Sequence, residues 1–187
     1  NLALVLAGII TSGFMTSLNG VLKYIANPET QLQEIVFWQM GSLAAVNPRQ
    51  MISVSPLLLI CGALMLALSW RINILSFGED EAKSLGMNVV LYRGITIAGS
   101  SMLTASAVSI SGTIGWVGLI IPHLGRLLVG ADNVKLLPAA ALLGAMFMLI
   151  VDTISRAATT MEIPLSILTG LIGAPFFTWL LWKQKEG

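Results

Sequence analysis

Charged residues are scarce in this sequence, and their scarcity decides the class of protein. Only 10% of the 187 residues are charged, whereas 56% are hydrophobic and the mean hydropathy is +0.86. A soluble domain carries about 25% charged residues, so this chain has too little charge to cover a water-facing surface. The apolar runs are continuous rather than alternating, and several reach about 20 residues. We therefore predict an all-α integral membrane protein that sits in a lipid bilayer.

Groups that carry chemistry are equally few. Cys61 is the single cysteine and His123 is the single histidine, so the chain holds no internal disulfide. The sequence contains no HExxH, GxSxG or GxxxxGK[ST] pattern, which argues against a zinc protease, a serine hydrolase and a phosphate-binding loop. The net charge of +1 gives no indication of nucleic-acid binding. We expect no enzyme activity, no metal site and no cofactor in this chain.

The apolar runs predict six membrane crossings. The run from Tyr92 to Val129 is divided at Ser109–Gly112, because one helix of that length would measure about 57 Å, nearly twice the thickness of a bilayer. With six crossings, seven basic residues lie on the side of the C-terminus and three on the other side. This asymmetry predicts a cytoplasmic C-terminus. The predicted crossings are residues 2–25, 51–70, 93–109, 113–129, 136–157 and 165–182.

The first crossing and the segment after it carry polar residues in a helical pattern. Gly8, Ser12 and Thr16 recur every four residues and share one helix face. This pattern is typical of a helix–helix packing face, and a face that lines a polar path is the alternative. Residues 28–41 mix glutamate and glutamine with apolar residues, including Trp38. We predict an interfacial helix there, at the membrane surface.

The charged stretch at 77–91 separates the second and third crossings. Ser76 or Gly78 can start a short helix, and three acidic residues would fill its first turn, where the helix dipole favours anions. Gly86 is a natural left-handed terminator, and Asn88 is predicted to cap a second short piece that runs through Arg93. An ordinary connector needs only a few residues. We interpret the stretch as a docking element, with a solvated connector as the alternative.

The docking interpretation assigns roles to individual side chains. The acidic residues would offer charge to a partner, while Ala82, Leu85 and Met87 would offer an apolar patch. Elsewhere, Asp152 and Arg156 are four residues apart and are expected to pair on one helix face. We interpret that pair as a structural clasp near the outer end of its helix, and contact with a cargo or an outside partner is the alternative. His123 is expected to be a capping or hydrogen-bonding group.

Several of these stretches together resemble one protein family. They are similar to permease subunits of bacterial ABC importers for iron-siderophore complexes, haem and cobalamin, the FecCD/BtuC-like family. Such permeases have about ten helices per subunit, and this chain resembles the last six, so the resemblance implies one permease domain over 1–187 that is part of a longer protein. The stretches are SFGEDEAKSLGMNV, SGTIGWVGLIIPHLGRLLVGADNVKLLPAAALLGA, DTISRAATTMEIPLSILTGLIGAPFFTWLL and VFWQMGSL.

The resemblance implies an assembly in the bacterial inner membrane. Two permease subunits, as a homodimer or as paralogues, would pair with two cytoplasmic ATPase subunits that bind ATP and magnesium, and a periplasmic binding protein would deliver the cargo. An iron chelate, with a siderophore or haem, is the expected cargo, and cobalamin or an oxyanion is the alternative. A proton- or sodium-driven secondary carrier is the less favoured class, because the apolar runs hold few titratable groups.

The resemblance also implies roles for particular residues. Segment 77–91 matches the coupling helices that seat in the ATPase, and 28–41 matches the outer gate helix. Gly170, Gly173 and Ala174 would contribute to the subunit contact and the path. The implied ATPase-coupling residues are Gly78, Glu79, Ala82, Leu85 and Gly86. The implied path-lining residues are Thr11, Ser12, Thr16, Ser17 and Asn19, none of which is a tight metal ligand.

Overall fold

Helices make up the regular structure of the chain. The computed structural model describes residues 2–44, 46–158 and 162–185, and within these residues it contains helices and no strand. The described helices are α1 Leu2–Ile25, α2 Gln31–Gln39, α3 Pro48–Ala67, α4 Ser69–Ser76, α5 Glu79–Ser84, α6 Val89–Ser111, α7 Val117–Val129, α8 Asn133–Ala157 and α9 Leu165–Lys185.

The chain divides into two compact units, and the first comprises Asn1–Gln39. Its helix α1 has the bounds that the sequence predicted. Helix α2 is shorter than the predicted segment 28–41, because a turn organised by Asn27 precedes it. The Asn27 side chain accepts a hydrogen bond from the backbone N–H of Glu29 at 2.9 Å, and its own N–H donates to the side chain of Gln31 at 3.1 Å. Such Asx turns compete with helix formation.

The second unit comprises Met40–Gly187 and holds helices α3 to α9. Helix α3 packs along α6, and α7 packs along α8. Small residues allow the close approach: a Cβ added at Gly99 would lie 2.5 Å from the Met65 side chain, and one at Gly125 would lie 2.7 Å from the Leu136 side chain. Glycine at helix contacts of this kind is typical of membrane proteins, where close packing replaces the hydrophobic effect between helices.

The predicted number of membrane-spanning helices is confirmed only in part. Among the described residues, α1, α3, α6 and α8 are long and apolar enough to cross a bilayer. Helix α7 has 13 residues and is therefore only about 20 Å long, because residues 112–116 before it are not helical. In α9 the described apolar stretch is Leu165–Thr178. The predicted count of six crossings is thus not confirmed, while the predicted break near Gly112 is confirmed.

Large apolar side chains lie on the outside of the second unit. Leu59 in α3 is 72% exposed, and Leu142 and Leu149 in α8 are 70% and 68% exposed. Many exposed large apolar side chains are expected where lipid or another membrane helix covers them. The packing thus agrees with the class that the composition indicated.

The bounds of α3 and the start of α6 differ from the prediction. Helix α3 begins at Pro48 rather than near residue 51, because Asn47 and Gln50 form a reciprocal capping box, and it ends at Ala67. The separate helix α4 then continues from Ser69. Asn88 does cap a helix, but that helix is the continuous α6 that begins at Val89. No separate short piece therefore runs through Arg93.

Residues 40–42 lie between the end of α6 and the start of α9 and bind to both by hydrogen bonds. The carbonyls of Met40 and Gly41 accept hydrogen bonds from the first two N–H groups of α9 at 3.0 and 2.9 Å. Ser42 donates from its backbone to the Ser111 carbonyl at 2.9 Å and from its hydroxyl to Glu162 at 3.2 Å. Backbone groups that an interrupted helix leaves free must find such partners in a membrane.

Candidate coupling segment and transport path

The segment 77–91 contains a short helix with a well-formed end. Helix α5 follows Gly78, whose φ of 126° is accessible to glycine alone among ordinary residues. At its other end Gly86 has φ 74°. The Gly86 N–H donates to the Lys83 carbonyl at 2.9 Å, and the Met87 N–H donates to the Ala82 carbonyl at 3.0 Å. These two bonds form a Schellman motif, so both glycines of the segment serve its backbone.

A small apolar core holds this segment against its neighbours. Ala82 is fully buried, and Met87 and Val89 are 6% and 4% exposed. The prediction that Ala82 and Met87 belong to a patch that faces a partner is corrected, because both side chains pack inward. Leu85 is 69% exposed and stays available to a partner. The side chains that complete the core from α4 and α6 are Ile74, Leu75 and Tyr92.

The acidic residues of α5 do not share one environment. The Arg93 guanidinium donates to a carboxylate oxygen of Glu79 at 2.7 Å, and the Lys83 ammonium lies 3.9 Å from the other oxygen. The hydrogen bond from Arg93, aided by its charge, lowers the pKa of Glu79 below its ordinary value. Glu79 thus fastens α5 to α6, whereas Asp80 and Glu81 are exposed at the surface.

A contact that the sequence did not predict joins α4 to the start of α8. The side-chain amide of Asn73 donates to Asp132 Oδ1 at 2.6 Å, and its oxygen accepts from the backbone N–H of Asn133 at 2.8 Å. Asp132 is the N-cap of α8 and also accepts from the Val134 N–H at 3.0 Å. These hydrogen bonds, with that of Asn73 largest, lower the pKa of Asp132. The sequence signal of this contact was the position of Asn73, a polar residue at the end of an apolar run.

Most polar side chains of α1 donate hydrogen bonds to carbonyl groups of the same helix. The hydroxyls of Thr11, Thr16 and Ser17 donate to carbonyls four residues earlier in the helix, at 2.8 to 3.0 Å. Asn19 donates to the Met15 carbonyl at 3.3 Å and accepts from Gln39 at 3.3 Å. Ser12 lies on the same face as Thr16, one turn away. A row of such groups is mildly polar and presents no charge, which would make it a weakly selective lining.

Two further predicted residues form an ion pair near the end of α8. Arg156 donates from Nε to one carboxylate oxygen of Asp152 at 2.9 Å and from a terminal nitrogen to the other at 3.1 Å. This bidentate geometry is the strong form of an arginine–carboxylate pair. The arginine side chain is 47% exposed and the aspartate side chain is 21% exposed, so the pair lies at the edge of the packed region.

Aromatic residues fill the contact between α7 and α9. Trp116 has the unusual φ of 68°, and its side chain packs on α9 so closely that a Cβ at Gly173 would lie 2.9 Å from it. Gly170 and Gly173, which the resemblance assigned to the subunit contact and path, are therefore covered in part by this chain's own tryptophan. His123 lies 6.2 Å from the Phe176 ring, and among the described residues its Nε2 has no hydrogen-bond partner. This nitrogen therefore does not take the expected capping or hydrogen-bonding role among those residues.

These features define a multi-pass helical membrane protein with a short acidic helix between the short helix α4 and the long apolar helix α6. The model of the FecCD transport family matches residues 1–183. The chain belongs to this family of ABC transporter permeases, as the resemblance had implied.

Named relatives show the range of the family. The chain is 49% identical to the molybdate import system permease protein MolB of Haemophilus influenzae and 40% identical to the hemin transport system permease protein HmuU of Yersinia pestis. Both alignments cover 100% of this chain, but only 55% of MolB and 56% of HmuU. The chain therefore spans about half the length of the curated relatives it matches.

A solved structure is similar over nearly the whole chain. It is described as an inward-facing conformation of a metal-chelate type ABC transporter, and it superposes with a TM-score of 0.90 at 48% sequence identity. The alignment covers 97% of this chain and 59% of that chain. The helical fold of this chain is thus similar to that of a chain in this transporter.

Proposed function

We propose that this chain is part of the permease subunit of an ATP-driven importer in a bacterial inner membrane. A second permease subunit, two cytoplasmic ATPase subunits and a periplasmic binding protein complete the assembly. ATP and magnesium bind to the ATPase subunits, and this chain performs no chemistry of its own. Membership of the FecCD transport family supports each of these points.

The observation that carries the proposal is the construction of segment 77–91. An acidic helix of six residues is closed by a Schellman motif, fastened to α6 by Glu79 and seated on a buried core. A flexible connector needs none of these restraints. A rigid element that keeps Asp80, Glu81 and Leu85 exposed is suited to dock in a partner and to transmit its movement. Gly78, Glu79, Ala82 and Gly86 support that element from within.

The path is proposed to run along α1. Its candidate lining residues Thr11, Ser12, Thr16, Ser17 and Asn19 offer hydroxyl and amide groups without charge. A transient path benefits from such groups, because tight ligands would retain the cargo instead of releasing it. Selection of the cargo would then rest with the binding protein. Segment 28–41 is proposed to act as a gate beside the path, and the pair of Asp152 and Arg156 as a clasp at the outer end of α8.

The cargo proposed first is an oxyanion such as molybdate. The resemblance alone favours an iron chelate, but the identity of 49% to a molybdate permease, against 40% to a hemin permease, favours an oxyanion. A metal chelate is the second candidate, because the solved structure that is 48% identical is described as of the metal-chelate type. Both cargoes agree with a weakly selective lining.

Uptake by the complete transporter tests this function. The full-length permease, its ATPase subunits and its binding protein are reconstituted in vesicles, and the uptake of labelled molybdate, haem and a ferric siderophore is measured with ATP. We expect ATP-dependent uptake of one of these cargoes and none when ATP is replaced by a non-hydrolysable analogue. Uptake driven by a proton or sodium gradient without ATP would identify a secondary carrier and overturn the proposal.

A further inference from the structure

Asn73 holds α4 to α8 through both ends of its side-chain amide. One end donates to the Asp132 carboxylate, and the other accepts from the backbone N–H of Asn133, 60 residues away in sequence. Rotating the amide by half a turn would place its oxygen against the carboxylate and its N–H₂ against a backbone N–H, so both bonds would be lost. The contact therefore has one working arrangement, and it includes the main chain of α8.

The helix that carries Asn73 also belongs to the support of the coupling segment, which is residues 77–91. Ile74 and Leu75 of α4 pack against the buried Ala82, Met87 and Val89. Arg71 of α4 lies over the Tyr92 ring of α6, 5.0 Å from its centre. A push on α5 is thus transferred through packed side chains to α4, because densely packed side chains move together.

The other side of the contact is the longest helix of the described residues. Helix α8 has 25 residues, or about 37 Å, and it packs against α4, α7 and α9. Leu136 in its second turn is buried beneath Gly125 of α7. At its far end the Ser155 hydroxyl donates to the Ile163 carbonyl at 2.6 Å, just before α9 begins. Movement of the first turn of α8 would therefore reach both α7 and the beginning of α9.

We propose that Asn73 is a positioning residue that transmits the movement of the coupling segment to α8. The inference rests on the proposed function, since it assumes that an ATPase moves segment 77–91. It adds a second route by which that movement enters the membrane helices, beside the direct chain connection from α5 to α6. The Asp132–Asn133 turn is the receiving end of this route.

The test exchanges the two polar partners in the complete transporter. Asn73→Asp places a carboxylate against Asp132 and removes the bond of 2.6 Å. Asp132→Asn is milder, because the Asn73 amide can still donate to an amide oxygen. The double variant Asn73→Asp with Asp132→Asn restores the bond between the two side chains with its direction reversed, and the Asn133 N–H still donates to residue 73. It gives up the bond from the Val134 N–H, because in the wild type Asp132 Oδ1 accepts both bonds. Cargo uptake and ATP hydrolysis are measured in the same vesicles. The labelled cargo is the one of molybdate, haem and ferric siderophore that the wild-type transporter takes up.

The readout is the amount of cargo moved per ATP hydrolysed. A loss of folded transporter lowers uptake and hydrolysis together, so the ratio isolates transmission from stability. We expect the ratio to fall about tenfold in Asn73→Asp and to recover to within about twofold of the wild type in the double variant. Asn47→Asp is the matched control, because Asn47 caps α3 and aspartate caps equally well. Its ratio should equal that of the wild type.

Two outcomes overturn the inference. Either Asn73→Asp retains the wild-type ratio, or the double variant is no better than Asn73→Asp alone. A wild-type transporter that moves none of the three cargoes with ATP overturns the proposed function itself, and the inference with it. The wild-type measurement therefore separates the two failures.

Discussion

Replacing Leu85 by alanine should weaken the attachment of the ATPase while leaving the permease folded. Leu85 is 69% exposed, although it stands beside the fully buried Ala82. Truncation removes three carbon atoms, worth about 0.8 kcal/mol each when buried. Scaled by the exposed fraction, the loss of binding free energy is about 1.7 kcal/mol, which corresponds to an affinity for the ATPase that is about 15-fold weaker. The fold should persist, because the backbone N–H of residue 85 still donates to the Glu81 carbonyl.

The assay is the Kd of the ATPase subunit for the full-length permease in nanodiscs. Leu59→Ala is the matched control, since it makes the same chemical change at a side chain that is 72% exposed midway along α3. Melting temperatures of both variants check that the permease is folded. If Leu85→Ala binds within about twofold of the wild type, or if Leu59→Ala weakens binding equally, then Leu85 does not occupy a groove of the partner.

Two other predictions concern stability. Gly41→Ala should lower the melting temperature for two reasons. The φ of 75° costs about 1–2 kcal/mol for a residue with a Cβ, and that Cβ would lie 2.9 Å from the Thr113 carbonyl oxygen. Gly62→Ala is the control, because its Cβ meets no atom within 4 Å and the change should be neutral or stabilising. Arg93 lowers the pKa of Glu79, so the pair stabilises the fold above the ordinary value of 4.5 and its contribution is lost as the pH falls below it. The melting temperature should therefore fall less steeply between about pH 5 and pH 3 in Arg93→Met than in the wild type; equal slopes would contradict this assignment.

Local signals in the sequence predicted the elements that depend on neighbouring residues. The bounds of α1, the acidic first turn of α5 and the left-handed conformation of Gly86 follow from the apolar run, the helix dipole and the glycine preference. The break near Gly112 followed from the length of the apolar run. Each of these inferences needed only a few consecutive residues.

Features that depend on distant parts of the chain could not be predicted. Ala82 is buried because side chains of α4 and α6 pack against it, and this packing cannot be read from the residues near Ala82. The bond from Asn73 to Asp132 joins residues 59 positions apart. Trp116 holds a positive φ while its side chain packs against Gly173, and the sequence pattern around Trp116 contains no sign of that strain. Pairwise packing of this kind leaves no periodic trace in one sequence.

The accessibility of position 81 tests most directly whether the coupling segment faces an ATPase in the cytoplasm. Glu81→Cys, in a chain whose buried Cys61 is replaced by alanine, offers one exposed thiol on α5. A membrane-impermeant maleimide should label it in inside-out vesicles, should fail to label it in intact spheroplasts, and should be blocked by saturating ATPase subunit. Labelling from outside intact spheroplasts, or labelling that the ATPase does not reduce, would contradict the proposed coupling role.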